Sequence, residues 1–312
     1  MAHEHNHDQI GKNTSVRMFI TMTMNFIITG AEVIGGLISG SLALISDALH
    51  NLTDGIAIII SYIALKLKGA KHSPRHTFGL KRAEIFAATI NSTVLFGISL
   101  FLFYKAIQRL INPQPIEGRL MIIIASIGLV ANVIGTFLLH QDSHKSMNIK
   151  SAYLHLLIDA MSSLVVIIGG ILITIFNIVW IDPILTILIG AYVLKESLNI
   201  LRESSHILME GAPADIDLQD IKKHVEKIPE VKNIHHIHIW NVGENDAHFE
   251  AHIDVNDMLV SETCDIQNKI VEILKNEFPI NHITLQFECD TCDSDRLIHN
   301  PKKDKGGGNS SN

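Results

Sequence analysis

Charge is what this 312-residue chain has least of. Asp, Glu, Lys and Arg make up 18% of it and hydrophobic residues 47%, whereas an average soluble domain is about 25% charged. That deficit argues against a water-soluble protein and for one that lives in a lipid bilayer. A basic excess is also missing: up to Glu203 there are fifteen basic and twelve acidic residues, and after it ten and twenty. The acidic C-terminal part excludes nucleic acid as the expected partner. Cysteine is scarce too. Cys264, Cys289 and Cys292 are the only three, too few and too clustered for a disulfide framework, and they place that end in a reducing, cytosolic setting. The opening MAHEHNHDQIGK is polar, and no small-residue cleavage site follows the first apolar run, so that run is expected to stay in the membrane rather than act as a signal peptide.

Long runs without charge are present in number. A helix needs about 20 apolar residues to cross the hydrocarbon layer. Ile85–Tyr104, Leu120–Leu139 and Ala160–Ile181 contain no Asp, Glu, Lys or Arg. Three further candidates carry ionisable residues: Met18–Ile38 with Glu32, Leu42–Leu65 with Asp47, His50 and Asp54, and Pro183–Leu201 with Lys195 and Glu196. The expectation is six transmembrane helices. Cations gather between Lys66 and Arg82 and, more thinly, between His140 and Lys150, so these loops and both termini are expected in the cytoplasm of a multi-pass protein of the cell (inner) membrane.

An ionisable side chain in mid-span costs about 2.5–3.5 kcal/mol and asks for a reason. In SDALHNLTDG, His50 and Asp54 stand at i, i+4 on one helical face; in SAYLHLLIDAM, His155 and Asp159 repeat the spacing. Two helices thus each offer an imidazole and a carboxylate. Zinc takes four tetrahedral ligands of these types, and two aspartates neutralise one dication. Since ligands must lose protons to bind metal and regain them when it leaves, a site open to one side at a time would exchange zinc for protons by alternating access. Helix–helix hydrogen bonding is the alternative for a single such pair. Asp47 is expected either to accept from an imidazole N–H or to mark a helix start, and Glu32 either to join a proton path or to pair with a neighbouring helix. Glu84, beside Arg82, is expected to pair with a cation or another helix. Asn25, Asn91 and Asn132 read as interhelical hydrogen-bonding residues.

After Ser204 the composition changes, through SSHILMEGAP, to a charged segment. An amphipathic helix through Ile221 and Val225, a β-rich run Val231–Val242, a turn over Gly243–Asp246, the alternating strand His248–Val255, a helix Ser261–Phe278 and a strand through Ile283, Leu285 and Phe287 give an αββαβ order. The chain is therefore divided into a His-containing tail (1–15), a transmembrane domain (16–203), a cytoplasmic domain (204–295), to which the family resemblance described next assigns metal binding and dimerisation, and a flexible tail (296–312).

The segments SGSLALISDALHNLTDG, HTFGLKRAEIFAA, SAYLHLLIDAMSSL and HHIHIW resemble the cation diffusion facilitator family, and in particular its zinc-exporting branch, over nearly the whole chain. The resemblance implies six spans, a cytoplasmic α/β domain of metallochaperone-like, ferredoxin-like fold, a homodimer, and transport at His50, Asp54, His155 and Asp159. It implies zinc as cargo, with cadmium or cobalt as further candidates. Relatives with aspartate in place of the first histidine also accept cadmium, so His50 favours zinc. In the loop where some relatives bind a further metal, this chain keeps His76 but has Ser73 and Leu80, so that site is expected to be absent or weak and His72 and His76 to be solvated.

Histidines 235, 236, 238, 248, 252 and 282 gather on the second domain. By the same resemblance His235 and His252 match regulatory zinc ligands, with Glu288 as a carboxylate and Gln286 where a histidine would stand; exposed strand histidines are the alternative. Cys289 and Cys292 form one CxxC, which His3, His5 and His7 could complete. A membrane zinc hydrolase is the rival function, because His3, Glu4 and His7 spell HExxH. A metal sensor without transport is the third.

Overall fold

The computed structural model describes residues 12–69, 73–140, 147–243, 246–289 and 297–298. It forms two compact units: one draws on the chain up to Ile63 and on Ala87–Leu201, the other on Ala64–Phe86 and the chain from Arg202.

Six long helices run in succession, α1 (Lys12–Ser39), α2 (Leu42–Lys68), α3 (Ala83–Ile111), α4 (Gly118–His140), α5 (Met147–Phe176) and α6 (Ile181–Leu208). Among the described residues, Ala83–Ile111, Gly118–His140, Tyr153–Phe176 and Ile181–Leu208 are long and apolar enough to cross a membrane. The described apolar part of α1, Thr23–Ser39, is shorter, and α2 carries Asp47, His50 and Asp54. One boundary needs correction: the charge-free stretch Ala160–Ile181 is not a single helix. Asn177 adopts φ 52°, a left-handed conformation that asparagine tolerates better than most residues, and the chain breaks there between α5 and α6.

The first unit exposes large apolar side chains and buries polar ones beside a small apolar core of Leu44, Met121 and Val166, unlike a soluble protein. Phe101, Phe137 and Ile175 are exposed, while Ser99, Asn132, Ser163 and Thr186 are buried. Large exposed apolar surfaces of this kind suit hydrocarbon, where small residues let helices approach and polar groups are turned inward. Gly118 makes the contact of α4 with α5: a Cβ there would lie 3.0 Å from the carbonyl oxygen of Gly170.

The turn between α1 and α2 is fastened from a distance. Gly40 takes φ +71°, and Ser41 follows it. Asp182, fully buried on α6, accepts hydrogen bonds from the Ser41 hydroxyl (2.5 Å) and from the N–H groups of Leu42 (2.9 Å) and Ala43 (3.1 Å). Arg109 of α3 pairs with the same carboxylate at 3.3 Å and donates to the Gly40 carbonyl. The free N–H groups at the start of α2 are therefore capped by a side chain of α6.

In the second unit α7 (Leu218–Val225), β1 (Val231–Gly243), β2 (Asp246–Val255), α8 (Val260–Asn276) and β3 (Ile280–Glu288) follow one another. Asp217 caps α7, accepting from Gln219 N–H at 2.9 Å, and the Glu262 carboxylate accepts from Leu259 N–H at the start of α8. The sheet has the order β1-β2-β3, with β1 antiparallel and β3 parallel to β2. Its inner face, with Ile234, Ile237, Phe249, Ala251 and Ile253, meets Ile221 and Val225 of α7 and Ile266, Ile270 and Leu274 of α8 in one core.

The alternation of β2 holds with one exception. Glu250 is exposed, but His248 on the same face is 2% exposed, because aromatic rings cover it. Phe78 meets it edge-on at 5.1 Å, Trp240 lies at 5.7 Å and His282 at 4.5 Å between ring centroids. Phe78 belongs to Ala64–Phe86, whose tight turn links Ser73 and His76 by paired backbone hydrogen bonds. His76 is exposed, as expected for a solvated loop residue; His72 lies outside the described residues.

The same segment brings Lys81 to Asp246 (2.5 Å) and Arg82 to Glu210 (3.3 Å). Burial pushes the Asp246 carboxyl up, but the Lys81 hydrogen bond and charge overcome this and hold it below its ordinary value. A carboxyl whose folded value is depressed stabilises the fold above its unfolded value, about 3.9, and loses that contribution as pH falls through the folded one. We expect Lys81→Met to destabilise the protein at neutral pH by about 1 kcal/mol or less and to flatten the loss of stability below about pH 4. Unfolding curves from pH 3 to 7 measure both. Equal slopes in the two proteins would assign the acid response to other groups.

Candidate metal centre

His50 and Asp54 lie one helical turn apart on α2, and His155 and Asp159 one turn apart on α5, so each pair shares a face. Asp47, before His50, accepts hydrogen bonds from Ser162 (2.5 Å) and Ser163 (3.5 Å), after Asp159. These contacts fix an antiparallel register that brings Asp54 opposite His155. Asp54 Oδ2 lies 3.4 Å from His50 Nε2 and 3.5 Å from His155 Nε2, and His155 Nε2 lies 3.4 Å from Asp159 Oδ2. The rings of His50 and His155 stand edge to face at 6.2 Å. The structure thus links the four expected groups in a chain of contacts, His50 to Asp54 to His155 to Asp159.

Their chemistry fits a dication. Ligands at about 2.0–2.2 Å in a tetrahedron are separated by roughly 3.3–3.5 Å, and three of the six separations in the set have that length; no three of the four ligand atoms all lie within 4.8 Å of one another, so closing them on one ion requires side-chain movement. Asp54 Oδ2, Asp159 Oδ2 and His50 Nδ1 are buried and, among the described residues, accept or donate no hydrogen bond. Among the described residues neither aspartate forms an ion pair with Lys or Arg. One buried and one half-buried carboxylate with no Lys or Arg partner among the described residues leave room for an ion of charge two.

The surroundings differ in part from expectation. Asp47 is held by two serine hydroxyls rather than by an imidazole. Glu32, fully buried on α1, accepts from the Asn51 amide of α2 at 3.3 Å, and a Cβ on Gly128 would collide with its carboxylate, so α4 is also close. Asn132 is buried, but its amide nitrogen has no hydrogen-bond partner among the described residues.

A second cluster sits on the sheet of the other unit. Ligand atoms of His235, His252 and Glu288 lie within 4.8 Å of one another. Glu288 reaches His252 Nδ1 at 2.6 Å and His235 Nε2 at 3.5 Å. His235 is buried and, among the described residues, neither of its ring nitrogens is hydrogen-bonded, a costly arrangement in a protein without a metal to receive it. Gln286, beside His252 in the β2–β3 register, donates to Glu288 at 2.8 Å. Cys289 and Cys264 are exposed thiols. Cys292, His3, Glu4, His5 and His7 lie outside the described residues.

Comparison with known proteins agrees with both regions. The profile of the cation efflux transmembrane domain matches residues 18–209, and that of the cation efflux protein cytoplasmic domain matches 213–289. Zinc transporter ZitB of Pectobacterium atrosepticum is 40% identical, over 95% of this chain and 91% of its own. The cadmium, cobalt and zinc/H(+)-K(+) antiporter of Bacillus subtilis is 38% identical over 98% of each chain, and metal cation efflux system protein CzcD of Cupriavidus metallidurans is 37% identical over 94% and 92%. A solved structure, the metal-bound C-terminal domain of the CzcD transporter, aligns with 23% of this chain and 99% of its own at 29% identity and a TM-score of 0.22.

Proposed function

The chain belongs to the cation diffusion facilitator family, and from that premise we propose that it exports zinc from the cytoplasm in exchange for protons, with cadmium and cobalt as secondary cargo. His50, Asp54, His155 and Asp159 hold the ion in a bundle of six membrane-crossing helices that opens to one side at a time. The two carboxylates cancel its charge. The imidazoles and carboxylates must be deprotonated to bind it, and they take up protons once it has left. With both termini in the cytoplasm, an inward proton gradient across the inner membrane drives metal outward.

The observation that supports this reading is the chain of contacts linking four ligand-type side chains from two helices, with buried aspartate oxygens that accept no hydrogen bond among the described residues. A four-residue set favours transport over hydrolysis, since a catalytic zinc keeps three protein ligands and an open position for water. In the cytoplasmic domain His235, His252 and Glu288 are the residues that would hold a resident zinc. Its charge would tie β1, β2 and β3 together and strengthen a homodimer through that domain. Cys289 and Cys292, with the N-terminal histidines, are candidates for a further site.

Sealed vesicles containing the purified chain test the transport reading. Zinc is expected to drive proton flux across a pH gradient, cadmium and cobalt less, and manganese least. His50→Asp is expected to raise cadmium flux relative to zinc by about tenfold, since a divalent metal site is selective through ligand type and geometry. Zinc binding without any ion flux would instead assign the chain to metal sensing.

A further inference from the structure

We propose that His236 is the fourth ligand of the cytoplasmic metal centre, closing with His235, His252 and Glu288 a four-coordinate site built from one chain. This rests on the reading of that centre as a zinc site.

The strand ladder supplies the first support. His235 pairs with His252 and His238 with Glu250, so β1 has two residues, His236 and Ile237, where β2 has only Ala251. One of them must leave the ladder, which is a β-bulge. Ile237 keeps the inward place at 2% exposure and gives its N–H to the Leu297 carbonyl at 2.8 Å. His236 is the residue displaced, at φ 52°. Unbroken alternation would have sent Ile237 outward and His236 toward the core. The bulge instead lets Ile234, Ile237 and Ile239 all reach the core and leaves His236 beside the metal-binding face.

Distances give the second. The His236 ring lies 4.5 Å from that of His252, and the His235 ring 5.5 Å from it. Two imidazoles on one tetrahedral zinc have ring centroids about 5.2 Å apart, so the observed separations fall on either side of the bound value. Binding then requires a side-chain movement of His236 toward an ion already held by three groups.

Coordination number gives the third. Zinc in a closed, non-catalytic site takes four protein ligands, and His235, His252 and Glu288 supply three. Gln286 is near by position, but its amide donates to Glu288. It therefore supports the carboxylate and leaves the fourth position to a better donor.

Cobalt(II), bound in place of zinc, reports coordination number through its visible absorption, which is intense when four-coordinate and weak when six-coordinate. The full chain in detergent is titrated with cobalt as the original protein and as His236→Asn, His236→Gly and His235→Ala. Asparagine and glycine both tolerate the left-handed backbone, so the bulge is retained while the imidazole is lost. The membrane ligands are the same in every variant, so differences between variants report the cytoplasmic centre. His236→Asn and His236→Gly are expected to weaken cobalt binding there ten- to hundredfold and to weaken and shift its visible bands, as water replaces the imidazole and lets the coordination number rise above four. If both leave affinity and spectrum unchanged while His235→Ala abolishes them, His236 is not a ligand. If His235→Ala also changes nothing, the cytoplasmic zinc site itself is refuted, and the role of His236 with it.

Discussion

Asp159→Ala is expected to reduce zinc-driven proton flux in sealed vesicles by about 100-fold, and Asp54→Ala to do the same. With both aspartates ionised, a bound dication leaves no net charge. Removing one leaves a positive charge in the hydrocarbon, at a cost of about 2.5–3.5 kcal/mol, close to two powers of ten in affinity. A metal–oxygen bond is lost as well. Asp54 Oδ2 faces both histidines, so its removal also takes away the group common to α2 and α5. Asp54→Asn keeps the shape and removes only the charge, and it should lose flux almost as completely. Entrapped pH-sensitive dye gives the readout. Flux near the original level in either alanine variant would place the transported ion elsewhere.

Asp182→Ala should lower stability by about 3–5 kcal/mol without touching any metal ligand. The carboxylate is fully buried, joins Ser41, Leu42 and Ala43 to α6, and balances Arg109. Removing one member of a buried ion pair strands the other charge in a low-dielectric setting. Here the N–H groups at the start of α2 are left unpaired too. Combining Asp182→Ala with Arg109→Met should recover part of the loss, because the stranded charge disappears with it. Unfolding in detergent, followed by circular dichroism, measures the four proteins of this cycle. A loss below about 1 kcal/mol, or full additivity of the two substitutions, would mean that the ion pair is not the fastening described.

The proposed membrane ligands stood out in the sequence because they combine two independent signals. Helical spacing put His50 with Asp54 and His155 with Asp159, and the absence of charge around them made each ionisable group conspicuous. Helix ends were less legible. Ala160–Ile181 contains no charge, yet the break at Asn177 is set by a backbone conformation to which hydropathy is blind. Partners were less legible still. That Asp47 meets Ser162 and Ser163, or Glu32 meets Asn51, depends on which helices adjoin. In the cytoplasmic domain the alternation of β2 was plain, whereas the bulge in β1 was not read. A signal for it exists in the three-residue step from Ile234 to Ile237, which strict alternation cannot accommodate on one face. The burial of His248 beneath Phe78 depends on a segment some 170 positions earlier, and no local pattern carries that.

The central claim is that one dication touches His50, Asp54, His155 and Asp159 together. A zinc-edge anomalous difference map of the zinc-loaded full chain tests it most directly. The account predicts a single peak between α2 and α5, about 2.0–2.2 Å from one nitrogen of each histidine and one oxygen of each aspartate. Strong peaks confined to the cytoplasmic domain, or a membrane peak that one of the two helices does not reach, would contradict it.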